Sequence, residues 1–188
     1  VRIWAAGLAR HDRMFGATGW QTDGMRVLLK LELDCTPSAA WRAVQSPAAL
    51  GEIHGPLIRI EPLSALPTQW EPGRDAAIRY AVGPIRLGSH LIRIAHRDER
   101  DSSGRVRIFR DWGDALTGPL ALLDAWDHQM AVSPSPRDES KTLWRERLVF
   151  TGAAAPFYWP ALWLLWQWRA AHLKRLAPTW EHDPAVRG

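Results

Sequence analysis

The side chains best suited to chemistry in this sequence are a few histidines and carboxylates set within apolar, alternating runs. Over residues 119–133, Leu120, Leu122, Asp124, Trp126, His128, Met130 and Val132 share one face, the period-two pattern of a half-buried strand. His128 therefore points inward beside Trp126 and Met130. A cavity imidazole titrates near neutrality and can orient a ligand carbonyl or move a proton; the commoner fate of such a histidine is a core side chain bonded to backbone. Over 141–151, Trp144, Glu146, Leu148 and Phe150 face one way, opposite Arg145 and Arg147. Glu146 then also points inward, and a buried carboxylate needs a partner or a raised pKa. An acid–base pair with His128 or His90 is the catalytic alternative. A salt bridge to an arginine such as Arg79 is the structural one, and a bulge that shifts parity would simply expose Glu146. His90 and His96 share a strand face but lie about 20 Å apart at about 3.3 Å per residue, too far for one metal. His172 follows Trp168 by one helical turn. Asp111 and Asp114 flank Trp112 beside a loop, as pocket gates or as turn formers. No Ser-His-Asp set, phosphate-cradling glycine loop or cysteine pair is legible, so neither a metal nor a cofactor is expected.

Composition narrows the function classes. The 188 residues suit one domain, and 46% hydrophobic with 23% charged residues is ordinary for a globular chain. The 12 tryptophans are not ordinary; each offers a broad apolar face and one N–H, which suits cavity walls and wet boundaries. The net charge of +4 is dispersed, with no basic run or Gly/aromatic pattern for nucleic acid. Cys35 is the lone cysteine, which excludes a disulfide within the chain and reads as a small buried side chain at a strand end. A reducing, cytoplasmic location fits. Residues 1–24 make a poor signal peptide and hold no sustained periodicity, so they are expected to be a loose extension. The domain is placed at 25–177, with a loose tail at 178–188.

The elements that must position these groups follow in order. Val27, Leu29, Leu31 and Leu33 mark a strand. Thr36-Pro37 and Ser46-Pro47 each carry a helix start, with a capping hydroxyl before a proline at the first helical position. A meander of strands then covers 57–62, 76–82, 85–98, 105–112, 119–133 and 141–151. Ile78, Tyr80 and Val82 share a face, as do His90, Ile92, Ile94 and His96. Residues 156–177 form a long helix in which Trp159, Trp163, Trp166, Ala170, Leu173 and Ala177 make one continuous stripe. The uncharged run 148–168 has the 21 residues of a membrane span. Its first four continue a strand, however, and the helical part, 157–168, covers only about 18 Å of a core about 30 Å thick. No transmembrane span is expected; docking at a membrane surface through the tryptophans is an alternative.

A strand, two short helices, about six more antiparallel strands and a long helix make an α+β order. It is satisfied by a curved antiparallel sheet of about seven strands with the long C-terminal helix across its concave face. That order resembles the SRPBCC superfamily of helix-grip proteins, which includes START lipid-transfer domains, the birch-pollen allergen group and polyketide cyclases. The opening strand followed by T-P-S-A-A-W and S-P is similar to the start of that family. Phe109-Arg110-Asp111, Gly118-Pro119 and Trp126-Asp127-His128 are similar to the F-x-D, G-P, W-x-H stretch of a ligand-binding branch. The resemblance implies a cavity for a hydrophobic small molecule, such as a lipid, polyketide or aromatic compound, and no particular reaction. The inward faces supply its expected lining: Tyr80, His90, Ile92, Trp126, His128, Met130, Trp144 and Glu146 from the sheet. The helix adds Trp159, Leu162, Trp163 and Trp166. A non-catalytic binder or carrier is the first expectation. A cyclase- or dehydrase-type enzyme using His128 with Glu146 or Asp111 is the second, and a peripheral membrane protein the third.

Overall fold

The computed structural model describes residues 24–101 and 104–187. The expected extension at 1–24 falls, apart from Gly24, outside the described residues. Strand β1 (Met25–Leu33) buries Val27, Leu29, Leu31 and Leu33 and exposes the residues between them. Two short helices follow, α1 (Pro37–Gln45) and α2 (Pro47–His54). Each starts as its sequence dictates: Thr36 Oγ1 accepts from the Ala39 N–H at 3.2 Å and Ser46 Oγ from the Ala49 N–H at 3.2 Å, with a proline at the first position where no N–H is needed.

Eight further strands complete the β structure: β2 (Arg59–Pro62), β3 (Ala76–Val82), β4 (Ile85–Ile92), β5 (Ile94–Asp101), β6 (Gly104–Asp111), β7 (Asp114–Ala115), β8 (Ala125–Ser135) and β9 (Asp138–Thr151). Among the described residues nine strands stand where about seven were expected. The single strand expected over 85–98 is creased at Arg93, whose carbonyl turns to accept from the Trp112 N–H, and a short β7 pairs with β4. The crease divides the β structure into two antiparallel sheets, β1-β9-β8-β6-β5 and β2-β3-β4-β7. Residues 119–122, expected to open a strand, instead form a 3-10 turn, Pro119–Leu122. Gly88 and Gly118 explain its position: both have positive φ, and a Cβ on either would come within about 2 Å of the other segment's backbone. Only glycine permits β4 and this loop to press together so closely.

Helix α3 (Ala155–Leu176) runs 22 residues across the sheet, and one buried cluster joins it to both sheets and to α1 and α2. The arrangement is α+β and helix-grip. Among the described residues no helix is long and apolar enough to cross a membrane. Beyond α3 the chain does not trail away as a loose tail. It forms a 3-10 turn, Ala177–Thr179, and a last helix, α4 (Pro184–Arg187). Trp180 is completely buried, its ring 6.1 Å from Trp144, and Glu181 accepts from the Thr36 N–H at 3.1 Å. Cys35 is buried as expected, and burial pushes its thiol up to about 11. Because Trp180 is core, Trp180→Ala is expected to cost about 3–5 kcal/mol in urea denaturation; a loss of about 0.5 kcal/mol, the scale of a surface substitution, would show that the C-terminal segment is dispensable.

Candidate functional site

Between the concave sheet face and α3 lies a cavity of about 590 Å³. Its walls are mostly apolar: Val44, Ile53 and Trp70 from the helical side, Ile92, Ile94, Phe109, Trp126 and Met130 from the strands, and Leu162, Leu165 and Trp166 from α3. Pro119, Leu120, Leu57 and Leu164 stand at its more exposed side. The Tyr158 hydroxyl donates to the Pro119 carbonyl at 2.7 Å, tying α3 to the 3-10 turn there.

The polar core of the site is built around Glu146 on β9. Its carboxylate accepts from Arg169 Nε at 2.9 and 3.0 Å, from Trp144 Nε1 at 2.7 Å and from His128 Nε2 at 3.1 Å. An ionised carboxylate only accepts, so the His128 hydrogen sits on Nε2. Burial alone would raise the Glu146 pKa, but Arg169, His128 and Trp144 outweigh it and hold the group down at about 2. Arg169, on α3, reaches further: Nη1 lies 3.4 Å from His54 Nε2 and Nη2 3.3 Å from Met130 Sδ. His54 Nδ1 donates to the Leu50 carbonyl at 2.8 Å, which leaves Nε2 as the acceptor facing Arg169. Burial first, and then the Arg169 charge, push His54 down to about 3.

From Glu146 a row of polar residues continues strand by strand. His128 on β8 stands directly opposite Asp111 on β6 in the register. Asp111 Oδ1 accepts from the Gly113 N–H at 3.2 Å, and His90 Nε2 on β4 lies 3.1 Å from where a Gly113 Cβ would be. Tyr80 on β3 follows, its ring 6.1 Å from His90. Burial raises the Asp111 pKa and lowers that of His90. Neither ring nitrogen of His90 has a hydrogen-bond partner, although the residue is 2% exposed.

The structure places Tyr80, His90, Ile92, Trp126, His128, Met130, Trp144, Leu162 and Trp166 on the cavity wall. Glu146 stands behind that wall and acts through His128 and Arg169; its partner is not Arg79, which pairs with Glu61 at 3.6 Å. Trp159 and Trp163 do not line the cavity. Trp159 Nε1 donates to the Arg26 carbonyl at 2.9 Å, and its ring stacks on Trp163 at 6.5 Å, so this pair turns toward β1. The lining face of α3 is instead Tyr158, Ala161, Leu162, Leu165, Trp166, Trp168 and Arg169. His96 packs against Trp41 and Phe109, with ring centroids 5.2 and 5.3 Å away. Sequence reasoning passed over Arg169, His54 and Phe109. For Arg169 the helical pattern holds no signal, because the stripe passes from Trp166 to Ala170 and leaves the arginine to one side. Among the described residues no three His, Cys, Asp or Glu side chains converge as a metal site requires.

Chemically, Glu146 is an orienting group. Both of its oxygens are engaged, and at about 2 its pKa makes it a poor proton acceptor. Arg169→Met is expected to destabilise by about 3–5 kcal/mol, because it strands a buried carboxylate. The double variant Arg169→Met/Glu146→Gln should recover much of that loss in urea denaturation, and a double variant no better than the single would show that the charge is not the cause. Acid should also act in two stages. His54 is held down at about 3 from an ordinary 6.5, so its contribution to stability is complete above pH 6.5 and declines as pH falls below it. Glu146 is held at about 2 from 4.5, so its contribution is complete above pH 4.5 and is lost toward pH 2. Urea midpoints between pH 8 and 3 should therefore begin to fall near pH 6.5 and fall faster below 4.5. A flat midpoint down to pH 5 in the wild type, or an undiminished early limb in His54→Gln, would contradict the assignment of that limb to His54.

Comparisons with known proteins bear on the fold. No protein-family model matches the chain, and no curated protein matches it. Solved structures do. A Mesorhizobium loti protein is 12% identical with a TM-score of 0.59, over 85% of this chain and 99% of its own. A Chromobacterium violaceum protein is 17% identical with a TM-score of 0.53, over 81% of this chain and 96% of its own. The structure of Ara h 8.0201, a helix-grip protein of the birch-pollen allergen type, is 13% identical with a TM-score of 0.56, over 81% of this chain and 97% of its own. At these identities the likeness establishes the helix-grip fold.

Proposed function

We propose that the protein binds or carries a hydrophobic small molecule, a lipid, polyketide or aromatic compound, in the cavity between the sheet and α3. The observation that supports this reading is the cavity itself. Its volume of about 590 Å³ falls in the range of small-molecule sites, about 300–1,000 Å³. Aromatic and aliphatic walls enclose it, and a few polar groups converge on one side. A chain that gained only stability from these side chains would close them on one another, since unfilled apolar space forfeits dispersion contacts. The polar groups beneath are held by each other rather than by solvent, which suits a site that stays shaped when empty. Tyr80, His90, Ile92, Trp126, His128, Met130, Leu162 and Trp166 are the residues assigned to the ligand.

The neutral dye N-phenyl-1-naphthylamine provides the test. It should bind saturably, quench tryptophan emission and brighten in its own emission. Leu162→Trp fills the cavity from α3 and should weaken binding by about tenfold or more while the circular dichroism of the fold is kept, since added core volume is accepted where space exists and resisted where it does not. Dye binding that is unsaturable, or unaffected by Leu162→Trp, would overturn the cavity reading.

A further inference from the structure

The polar row on the cavity floor has two unlike ends, and they differ in what they leave unpaired. At the α3 end, Arg169 is the cation on the cavity wall among the described residues, and its charge is already answered. Nε serves both oxygens of Glu146, Nη1 faces His54 and Nη2 faces Met130. A ligand carboxylate arriving there would meet a cation already neutralised by Glu146. At the β4 end the imidazole is open. His90 is buried with both ring nitrogens unbonded, and a buried polar group without a partner costs about 1–3 kcal/mol. Asp111 lines the cavity beside it, anchored through the Gly113 N–H.

Building on the carrier reading above, we propose that the cavity selects an uncharged ligand bearing a hydroxyl group, seated between His90 and Asp111, and discriminates against carboxylates. A neutral imidazole offers one donor and one acceptor. A hydroxyl also donates and accepts, so it satisfies His90 in either tautomer and can donate to an Asp111 oxygen. A carboxylate only accepts, and beside Asp111 it is repelled. Docking turns the His90 ring about its Cβ–Cγ bond, and the turn breaks no hydrogen bond because the ring makes none. The rings of Tyr80 and Trp126, 6.1 and 5.9 Å from His90, set aromatic surface around the hydroxyl and favour an aromatic body for the ligand.

Three probes on one skeleton separate the possibilities: pyrene, 1-pyrenemethanol and pyrene-1-carboxylate, with binding read by energy transfer from tryptophan. In the wild type 1-pyrenemethanol should bind about tenfold more tightly than pyrene or the carboxylate, the scale of one buried hydrogen bond made or left unmade. His90→Phe keeps a ring of similar size and should abolish the advantage of the alcohol over pyrene. Asp111→Asn keeps the shape and should reduce the penalty on the carboxylate. Equal binding of all three probes, or a carboxylate that matches the alcohol, overturns the proposal and leaves the carrier reading standing. An alcohol preference that survives His90→Phe also overturns it. Failure of pyrene and both derivatives to bind saturably removes the carrier reading and the proposal with it.

Discussion

The ion pair between Arg169 and Glu146 is the constraint on which the rest of the site depends. It joins the middle of α3 to the middle of β9, and both groups are almost wholly buried. Burying two charges is costly, and their attraction repays that cost only when the remaining hydrogen-bonding capacity is also met. Here it is met: Trp144 and His128 complete the carboxylate, while His54 and Met130 take up the guanidinium. Four elements, α2, α3, β8 and β9, are therefore committed to one geometry. A helix of leucine and tryptophan resting on an apolar sheet has many nearly equivalent seats. Arg169 has one, and we infer that the pair fixes the position of α3 along the sheet as much as it adds to stability.

The cavity follows from that seat. With Arg169 anchored on β9, the apolar side chains of α3 on the N-terminal side of it, Trp166, Leu165, Leu162 and Tyr158, are carried out over β8, β6 and β4. Trp166 reaches β8, its ring 6.5 Å from Trp126 and 5.1 Å from His128, and these side chains line the cavity together with the sheet. Past Arg169 the helix is pinned more tightly: Ala170, Leu173 and Ala177 are buried, and Trp180 packs on Trp144. One half of α3 is thus core and the other is a wall. The covering of Trp144 by the C-terminal segment protects the same tryptophan whose Nε1 helps to hold Glu146.

Much of this was legible in the sequence, and the failures have particular causes. The capped starts at Thr36 and Ser46, the alternation of β1 and the inward parity of His128 and Glu146 are local signals, and the structure keeps them all. The crease at Arg93 was hidden because His90, Ile92 and Ile94 keep one parity through it and all three are buried, so a period-two pattern runs on across a break in the backbone. The 3-10 turn at Pro119–Leu122 imitated a strand because Leu120 and Leu122 alternate with smaller residues. The stripe expected on α3 runs through Trp159, Trp163, Trp166, Ala170, Leu173 and Ala177. The face that lines the cavity is shifted to include Ala161, Trp168 and Arg169, and no helical pattern tells an arginine on the solvated side from one aimed at a buried glutamate 23 residues earlier. Trp180 was missed for a related reason: a single large residue after a helix has no periodicity to reveal it.

The same balance of charges limits what Glu146 itself can do. Catalysis by an acid–base pair needs a group that can gain or lose a proton in the working range while touching the bound molecule. Glu146 fails on both counts, since its pKa is near 2 and it lies behind His128. It orients the imidazole and neutralises Arg169. At the far end of the row His90 is buried without a partner and Asp111 faces the cavity, and on α3 the Nε1 groups of Trp166 and Trp168 also lack a partner. On the proposed carrier reading, the aromatic walls would supply the affinity and the His90 end of the polar row the orientation.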